Sequence, residues 1–298
     1  MGIFHDLSGL ALRKAKRALR SKYRIGKYFI KITPGFPLPD YQSLNKLYDH
    51  FLPVLAKYLD SQKLIIDVGA NIGDTAIALV QSCSNPLLCI EASDEFFPYL
   101  RDNLKLLPNN DFVRVRTVKK LAGTGAISGA LDYKMRGTAG LKQDALGASV
   151  THTPLDELVT DPSGVILIKV DTDGFDFDVL RSAAKILQHS EPVLFWENVV
   201  DEDFQLSGFN NLYPFLQSMG YNSVYIFDNY GNLIIEETGF SAAENINRYI
   251  HSMKNYNCTR TIHYTDILAS TEKNRSLVEK AVLEYKTEWI MKPDPKGL

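Results

Sequence analysis

The segment 64–68 of this chain is followed at once by residues that could hold a small molecule. It is apolar except for Asp67, and Gly69 and Gly73 come directly after it. An apolar run of this length predicts a buried strand, and the glycines predict a tight turn that leads into a helix. In an open α/β sheet, ligands bind beyond the carboxyl ends of the strands, where the first N–H groups of a helix can meet a carboxylate or phosphate. This turn is therefore the first candidate binding site.

The spacing of the two glycines separates two classes of cofactor. A dinucleotide-binding turn reads G-x-G-x-x-G, whereas Gly69 and Gly73 form G-x-x-x-G. The middle glycine that lets a pyrophosphate approach the backbone is missing, and Asp67 adds a negative charge just before the turn. An acid here suits a ligand with an ammonium and a sulfonium. The turn therefore favours S-adenosylmethionine over a nicotinamide dinucleotide.

A second acid, Glu91, ends the next apolar segment, 87–91. An acid at this point of a nucleotide-binding α/β fold contacts ribose hydroxyls. A solvated strand end is the ordinary structural alternative for Glu91 alone. Its spacing from Asp67, Gly69 and Gly73 is more specific and favours a cofactor that contains a nucleoside.

Three acids after later apolar segments are candidates for the chemistry. Asp171 and Asp173 follow segment 165–170, and Glu197 follows segment 193–196. A hydroxyl is a weak nucleophile, so methyl transfer to it from a sulfonium is helped by a general base. Partial burial after an apolar run would raise the pKa of Glu197 toward the working range. The alternative for these residues is a structural acid that caps a helix or forms a salt bridge.

The segment 171–178 contains four aspartates and superficially resembles a calcium loop. An EF-hand needs glycine at its sixth position and glutamate at its twelfth. Here Gly174 is fourth and Ser182 is twelfth. The later aspartates suit the start of a helix, where acids complement the helix dipole. The sequence therefore predicts no metal site.

The elements that would position these residues alternate along the chain. Apolar segments predicted as strands are separated by segments predicted as helices. This alternation implies βαβ units, right-handed crossovers and a mostly parallel sheet. The predicted strands are 64–68, 87–91, 112–118, 165–170, 193–197, 224–227 and 261–268, with 233–235 as a further candidate.

Several of these segments resemble the FkbM family of S-adenosylmethionine-dependent methyltransferases. The matching segments are 67–73 (DVGANIG), 90–94 (IEASD), 153–158 (TPLDEL) and 168–180 (IKVDTDGFDFDVL). Ala92 stands where the family usually has proline, and Asp173 stands where it usually has glutamate. The resemblance covers about residues 62–200 and leaves the N-terminal segment outside.

The resemblance implies a Rossmann-like class I methyltransferase fold. This is an α/β fold with a seven-stranded, mostly parallel sheet, helices on both faces and an antiparallel last strand. The resemblance also implies O-methylation of hydroxyls on sugars or secondary metabolites, with the methionine part of the cofactor at the glycine turn and its ribose at Glu91. The predicted cofactor-binding residues are Asp67, Gly69, Ala70, Asn71, Gly73, Glu91, Ala92 and Asp171, and the predicted catalytic residues are Glu197, Asp171 and Asp173.

The predicted function is an S-adenosylmethionine-dependent O-methyltransferase whose acceptor is a small-molecule or glycan hydroxyl. Two alternative functions stay open. The first is a nicotinamide-dependent oxidoreductase, against which the missing middle glycine argues. The second is a non-catalytic S-adenosylmethionine-binding assembly protein, against which the acids beyond the strand ends argue. The sequence leaves the oligomeric state open as well.

Composition narrows the remaining classes. The 298 residues include 33 Lys and Arg against 35 Asp and Glu, a net charge of −2, which argues against a general nucleic-acid binder. Three cysteines without metal or disulfide spacing are typical of reduced thiols in the cytoplasm. No apolar run approaches the ~18 residues of a membrane span. The expected location is therefore cytoplasmic.

The charge is unevenly distributed. Residues 1–31 hold nine basic residues and one acid, a net charge of +8, whereas the rest of the chain carries −10. Residues 1–60 are predicted to be a basic helical extension, and 61–298 the methyltransferase domain. Within the extension, 3–27 is predicted to be an amphipathic helix that lies on the inner face of an anionic membrane. A helix packed on the body with a solvated basic face is the alternative.

Overall fold

The computed structural model describes residues 20–125, 129–134, 138–143, 152–256 and 258–292. The core of the described structure is an eight-stranded sheet. From one edge to the other, its strands are β13 (Leu233–Thr238), β12 (Ser223–Asp228), β14 (Thr265–Ser270), β11 (Val193–Asn198), β10 (Val165–Val170), β3 (Leu64–Val68), β4 (Leu87–Ile90) and β5 (Val115–Val118).

The strand directions confirm the predicted Rossmann-like class I fold. Strands β3, β4, β5, β10 and β11 are parallel, and β14 lies antiparallel between β11 and β12. The expected count of seven strands is wrong, because β13 pairs antiparallel with β12 and extends the sheet to eight. The turn between them is closed by Gly231 at φ 85° and by the Asp228 carboxylate, which accepts the Asn232 N–H at 2.9 Å.

Helices cover both faces of the sheet. Alternate strand residues enter separate apolar clusters, with Ile65 on one face and Ile66 on the other. The α-helices in the described residues are α1 (Leu38–Leu44), α2 (Phe51–Ala56), α3 (Asp74–Ser82), α4 (Phe96–Leu104), α5 (Asn109–Phe112), α6 (Leu155–Leu158), α7 (Asp176–Arg181), α8 (Ala184–Ser190), α9 (Asp203–Ser218), α10 (Phe240–Asn255) and α11 (Arg275–Tyr285). None of the helices in these ranges is both long and apolar enough to cross a membrane.

The start of the described chain differs from the predicted helix. Lys22–Ile25 and Tyr28–Lys31 are strands β1 and β2 of an antiparallel hairpin, so the helix predicted for 3–27 is wrong at these positions. Its remaining part, 3–19, lies outside the described residues. Ile25 and Ile30 are buried on the inner side of the hairpin, and Gly26 makes its turn at φ 55°. The inward isoleucines give the hairpin a buried face that a solvated helix would lack.

The segment that follows the hairpin packs on the sheet. Phe51 and Leu55 of α2 are buried in the same apolar cluster as Ile65 of β3. The predicted helical extension contains two short helices here, α1 and α2. The chain between them adopts a left-handed conformation at Asp49, with φ 62°, which an α-helix cannot contain. The loop between α1 and α2, which contains Asp49, lies over the carboxyl ends of the strands.

The long stretch between β5 and β10 forms small local pairings. The two-residue strand β6 (Leu121–Ala122) pairs with β9 (His152–Thr153), and β7 (Gly129–Lys134) pairs with β8 (Thr138–Gln143). The chain after α11 continues in one turn of π-helix, Lys286–Ile290.

Candidate active site

The glycine turn after β3 forms the base of a cavity at the carboxyl ends of the strands. Gly69 has φ 75°, and a Cβ there would lie 1.8 Å from the carbonyl oxygen of Asp171. Gly73 has φ 87° and opens helix α3, where a Cβ would lie 2.8 Å from a Leu100 methyl group. Only glycine fits position 69, because a side chain there would clash with the backbone at the end of β10, and the left-handed backbone of Gly73 strains other residues.

Glu91 faces this turn from the end of β4. Its Oε2 accepts the Asn71 N–H at 2.8 Å, and its Oε1 accepts the Ser93 N–H at 2.7 Å. Burial raises the pKa of Glu91, while these two backbone donors oppose the rise. Each carboxylate oxygen has a second lone pair, so the side chain can accept two more hydrogen bonds. This geometry fits a pair of ribose hydroxyls.

Lys169 is a functional candidate that the sequence reasoning missed. It lies buried in β10, with its Nζ 3.0 Å from Asp67 Oδ1 and 3.4 Å from Asp171 Oδ2, and it donates to the Gly69 carbonyl at 3.3 Å. Burial alone would lower its pKa, but the attraction of the two carboxylates outweighs burial and raises it. A lysine inside an otherwise apolar strand was the available sequence signal.

A cavity beside the glycine turn, here the front cavity, has a volume of about 450 Å³. It includes seven of the predicted site residues: Gly69, Asn71, Glu91, Ala92, Asp171, Asp173 and Glu197. Three other predicted residues lie behind its wall. Ala70 and Gly73 are buried in the turn, and the fully buried Asp67 carboxylate pairs with Lys169 instead of facing the cavity. Phe36, Tyr41 and Tyr48 of the N-terminal segment form another side of the cavity.

A second cavity, here the rear cavity, adjoins the front cavity and has a volume of about 370 Å³. Both cavities include Asp49, Asp74, Asp171 and Glu197, so this acidic group marks their junction. Asp49 lies deep in the molecule, yet its side chain is open to the cavities. The sequence reasoning assigned no role to Asp49 or Asp74.

A pair of carboxyl groups faces the junction across two strands. Glu197 of β11 is directly opposite Asp266 of β14 in the antiparallel register. Like charges at opposite positions repel each other. Burial, followed by the negative charge of Asp171, raises the pKa of both carboxyls well above their usual range. The predicted base Glu197 therefore has a partner, Asp266, that the sequence did not reveal.

The aspartate-rich segment after β10 leads into helix α7, and two of its aspartates hydrogen-bond to loop residues. The carboxylate of the buried Asp176 accepts the Thr172 N–H at 3.2 Å and the Thr172 hydroxyl at 2.8 Å. Asp178 accepts the backbone N–H of Thr124 at 2.8 Å. Asp173 itself has a left-handed backbone, with φ 55°. Within the described ranges, no group of three or more His, Cys, Asp or Glu side chains is placed to hold a metal ion.

Comparison with solved structures finds distant resemblances. The FkbM methyltransferase of Methylobacillus flagellatus KT is 16% identical, with 62% of this chain and 54% of that chain covered at a TM-score of 0.41. The O-methyltransferase of Bacillus cereus in complex with SAH is 15% identical, covering 89% and 90% at 0.42. The M. jannaschii TYW2 in complex with AdoMet is 10% identical, covering 84% of each at 0.43. No curated protein matches the chain by sequence.

A match to a protein family identifies the chain, whereas these distant structures do not. The family described as the methyltransferase FkbM domain matches residues 67–223, more than half of the chain. The match begins at Asp67 and contains the glycine turn, Glu91, Lys169 and Glu197. The chain belongs to the FkbM family of methyltransferases, and its cofactor is S-adenosylmethionine.

Proposed function

We propose that the protein is an O-methyltransferase that transfers a methyl group to a hydroxyl of a sugar, a glycan or a hydroxylated secondary metabolite. The observation that carries this proposal is the Glu197–Asp266 carboxyl pair at the junction of the two cavities. Carboxyl groups at this point can accept the proton that a hydroxyl loses as it is methylated. Acids with raised pKa values are the stronger bases once ionised, which suits the weakly acidic hydroxyl group.

The front cavity fits S-adenosylmethionine by the chemistry of its donors and acceptors. Glu91 would hold the ribose hydroxyls, and the open backbone at Gly69 would lie against the methionine part. When bound, the cofactor supplies a methyl group activated by a positively charged sulfur. The acids of the junction, Asp171 among them, suit that positive charge.

Lys169 and Asp67 support this site from behind. The lysine balances the charge of Asp67 and Asp171 and holds the Gly69 carbonyl, so the turn and the end of β10 keep one relative position. We therefore assign Asp67 a positioning role through Lys169 in place of direct contact with the cofactor.

Calorimetric titration and mass spectrometry test the proposed function. S-adenosylhomocysteine should bind, NADH should not, and an accepted alcohol should gain the mass of one methylene group at its hydroxyl oxygen. Binding of NADH without S-adenosylhomocysteine would contradict the proposal in favour of an oxidoreductase. Cofactor binding without methyl transfer to any hydroxyl in a broad panel of sugars and alcohols would favour the assembly protein.

We also propose peripheral contact with an anionic membrane through residues 3–27. In the part that the structure describes, the β1–β2 hairpin exposes Lys22, Arg24 and Lys27, and the adjacent Phe29 is 61% exposed. Each basic residue near an anionic bilayer adds about 1 kcal/mol. Vesicles containing phosphatidylserine should sediment the full chain, and K22E/K27E should weaken this. Equal sedimentation of both proteins would contradict a role for the hairpin.

A further inference from the structure

The rear cavity follows one face of helix α3. Five residues of that helix, from its first to its last turn, contribute to the wall: Asp74, Thr75, Ala78, Gln81 and Ser82. At 1.5 Å per residue, Asp74 and Ser82 are about 12 Å apart along the helix axis. The rear cavity is therefore an elongated space.

The larger part of the rear cavity's wall is apolar, and the polar side chains of Gln81 and Ser82 beside it already hydrogen-bond within the protein. The apolar part is formed by Ile25, Leu47, Phe51, Leu52, Phe195 and Phe227. These side chains have no groups that could replace the hydrogen bonds of a buried sugar hydroxyl, and losing those bonds is unfavourable. An apolar group in the same place gains free energy as its surface leaves water. The body of the cavity therefore favours a hydrocarbon over a polyhydroxylated ring.

The two ends of the rear cavity differ in charge. The outer end lies at the β1–β2 turn, where Arg24 and Gly26 are exposed. The inner end is the acidic junction, which Asp266 joins on this side. Lys169 is the only Lys or Arg among the described residues of the inner end, and it already pairs with Asp67 and Asp171. An anion placed there would meet several carboxyls without a free cation to balance it.

The N-terminal segment builds one side of this cavity and is held there firmly. The Tyr285 hydroxyl donates to the Gly231 carbonyl at 2.8 Å and lies 3.2 Å from the Leu47 carbonyl. The His50 ring stacks on Trp289 with 4.3 Å between ring centroids. Between these anchors, Asp49 keeps its left-handed backbone and faces the junction. A non-glycine residue held in this conformation is a common feature of functional sites.

We propose that the rear cavity binds the methyl acceptor, and that this acceptor is an uncharged alcohol whose apolar body lies along α3 with its hydroxyl at the acidic junction. This proposal rests on the proposed function. Among the proposed acceptors it favours hydroxylated metabolites with an apolar body over sugars and glycans, and it excludes molecules with a carboxylate or phosphate beside the reacting hydroxyl. It also gives Asp49 of the N-terminal segment a place beside the reacting group, together with Glu197 and Asp266.

Two matched probes test the charge and the apolar body. 1-Octanol and octanoate share a chain length and differ in the charge of the head group. Each is titrated into the full chain loaded with S-adenosylhomocysteine, with methyl glucoside as a polar comparison. We expect 1-octanol to bind at least about tenfold more tightly than octanoate, and methyl glucoside to bind more weakly than 1-octanol. Equal or tighter binding of octanoate, or tighter binding of methyl glucoside, would overturn the proposal.

One position of α3 gives a matched pair of variants. Ala78 contributes to the rear cavity and is absent from the wall of the front cavity. Ala78→Leu adds an isopropyl group midway along the rear cavity, and leucine suits a helix nearly as well as alanine. It should weaken 1-octanol binding by about tenfold or more, whereas Ala78→Ser should leave it nearly unchanged.

Binding of S-adenosylhomocysteine distinguishes failure of the proposed acceptor site from failure of the proposed methyltransferase function. Unchanged affinity in Ala78→Leu shows that the variant is folded, so a lost 1-octanol site is then a local effect. Full 1-octanol affinity in Ala78→Leu would overturn the proposed acceptor site while leaving the methyltransferase function intact. Failure of the unaltered protein to bind S-adenosylhomocysteine would contradict the proposed function. Titration of 1-octanol and octanoate into the unloaded protein would then still test whether the rear cavity prefers an uncharged apolar ligand.

Discussion

The front and rear cavities meet at the same acids but depend to different extents on the segment 67–223 that matches the family. Most of the front cavity, with the glycine turn and Glu91, lies inside that segment. The rear cavity has one wall on α3 inside the segment, and more of its lining comes from outside, as at Asp49, Phe227 and Asp266. The cofactor half thus follows from short motifs around two strand ends. The proposed acceptor half depends on how distant segments pack together.

The largest effect is expected where the two cavities meet. Glu197→Gln keeps the size of the side chain but removes the base, so turnover should fall by about 10²–10⁴-fold. S-adenosylhomocysteine affinity should change little, because Glu91 and Gly69 are untouched. Asp266→Asn should reduce turnover in the same direction if the two carboxyls act as a pair. Full turnover in Glu197→Gln would contradict the proposed role of Glu197 as the general base.

Substitution of Lys169, which is buried behind the front cavity, tests whether its charge stabilises the fold around Asp67. Lys169→Met leaves the carboxylate of Asp67 buried without its partner, which should lower the free energy of unfolding by about 3–5 kcal/mol. Asp67→Asn/Lys169→Met removes both charges and should recover part of that loss. Urea unfolding at neutral pH measures both. Equal destabilisation by the single and double variants would contradict the proposed pairing role of Lys169.

The front cavity can be weakened without touching the rear one. Glu91→Gln places an NH2 group against one of the two backbone N–H donors, from Asn71 or Ser93, that now meet carboxylate oxygens. S-adenosylmethionine affinity should fall by about 1–3 kcal/mol, measured by calorimetry. Because Glu91 is not part of the rear cavity, 1-octanol binding should persist. An unchanged cofactor affinity would contradict the role of Glu91.

The smallest expected effect concerns pH and a buried acid outside both cavities. Burial, with the nearby charge of Asp171, raises the pKa of Asp176 to about 7 in the folded protein, against about 3.9 in an unfolded chain. The unfolded chain therefore loses this proton first, and the contribution of Asp176 to stability is lost progressively as pH rises from about 4 to about 7. Asp176→Asn should flatten the fall by at most about 1.4 kcal/mol per pH unit. Urea unfolding between about pH 4 and pH 7 measures this, and an unchanged slope would contradict it.

The sequence was most informative where local order decides the structure. Strand β3 and its turn were predicted at their observed positions, since an apolar run followed by Gly69 leaves little choice. Glu91 was found at the end of β4 for the same reason. The opposition of Glu197 and Asp266 was not foreseen, because no local pattern tells which strands become neighbours.

The basic N-terminal segment shows the opposite case. The amphipathic spacing of its residues suggested a helix that extends through residue 27, but the tertiary contacts of Ile25 and Ile30 favour a hairpin. The left-handed backbone at Asp49 likewise depends on contacts from far along the chain, such as those of Tyr285. Lys169 was the one missed residue with a local signal, a single charge within a buried strand.

The division of the site into a cofactor half and an acceptor half is tested most directly by one calorimetric comparison. S-adenosylhomocysteine and 1-octanol are each titrated into the unaltered protein, Glu91→Gln and Ala78→Leu. We predict that Glu91→Gln weakens only S-adenosylhomocysteine binding and that Ala78→Leu weakens only 1-octanol binding. Loss of both ligands in either folded variant, or loss of S-adenosylhomocysteine alone in Ala78→Leu, would contradict the division.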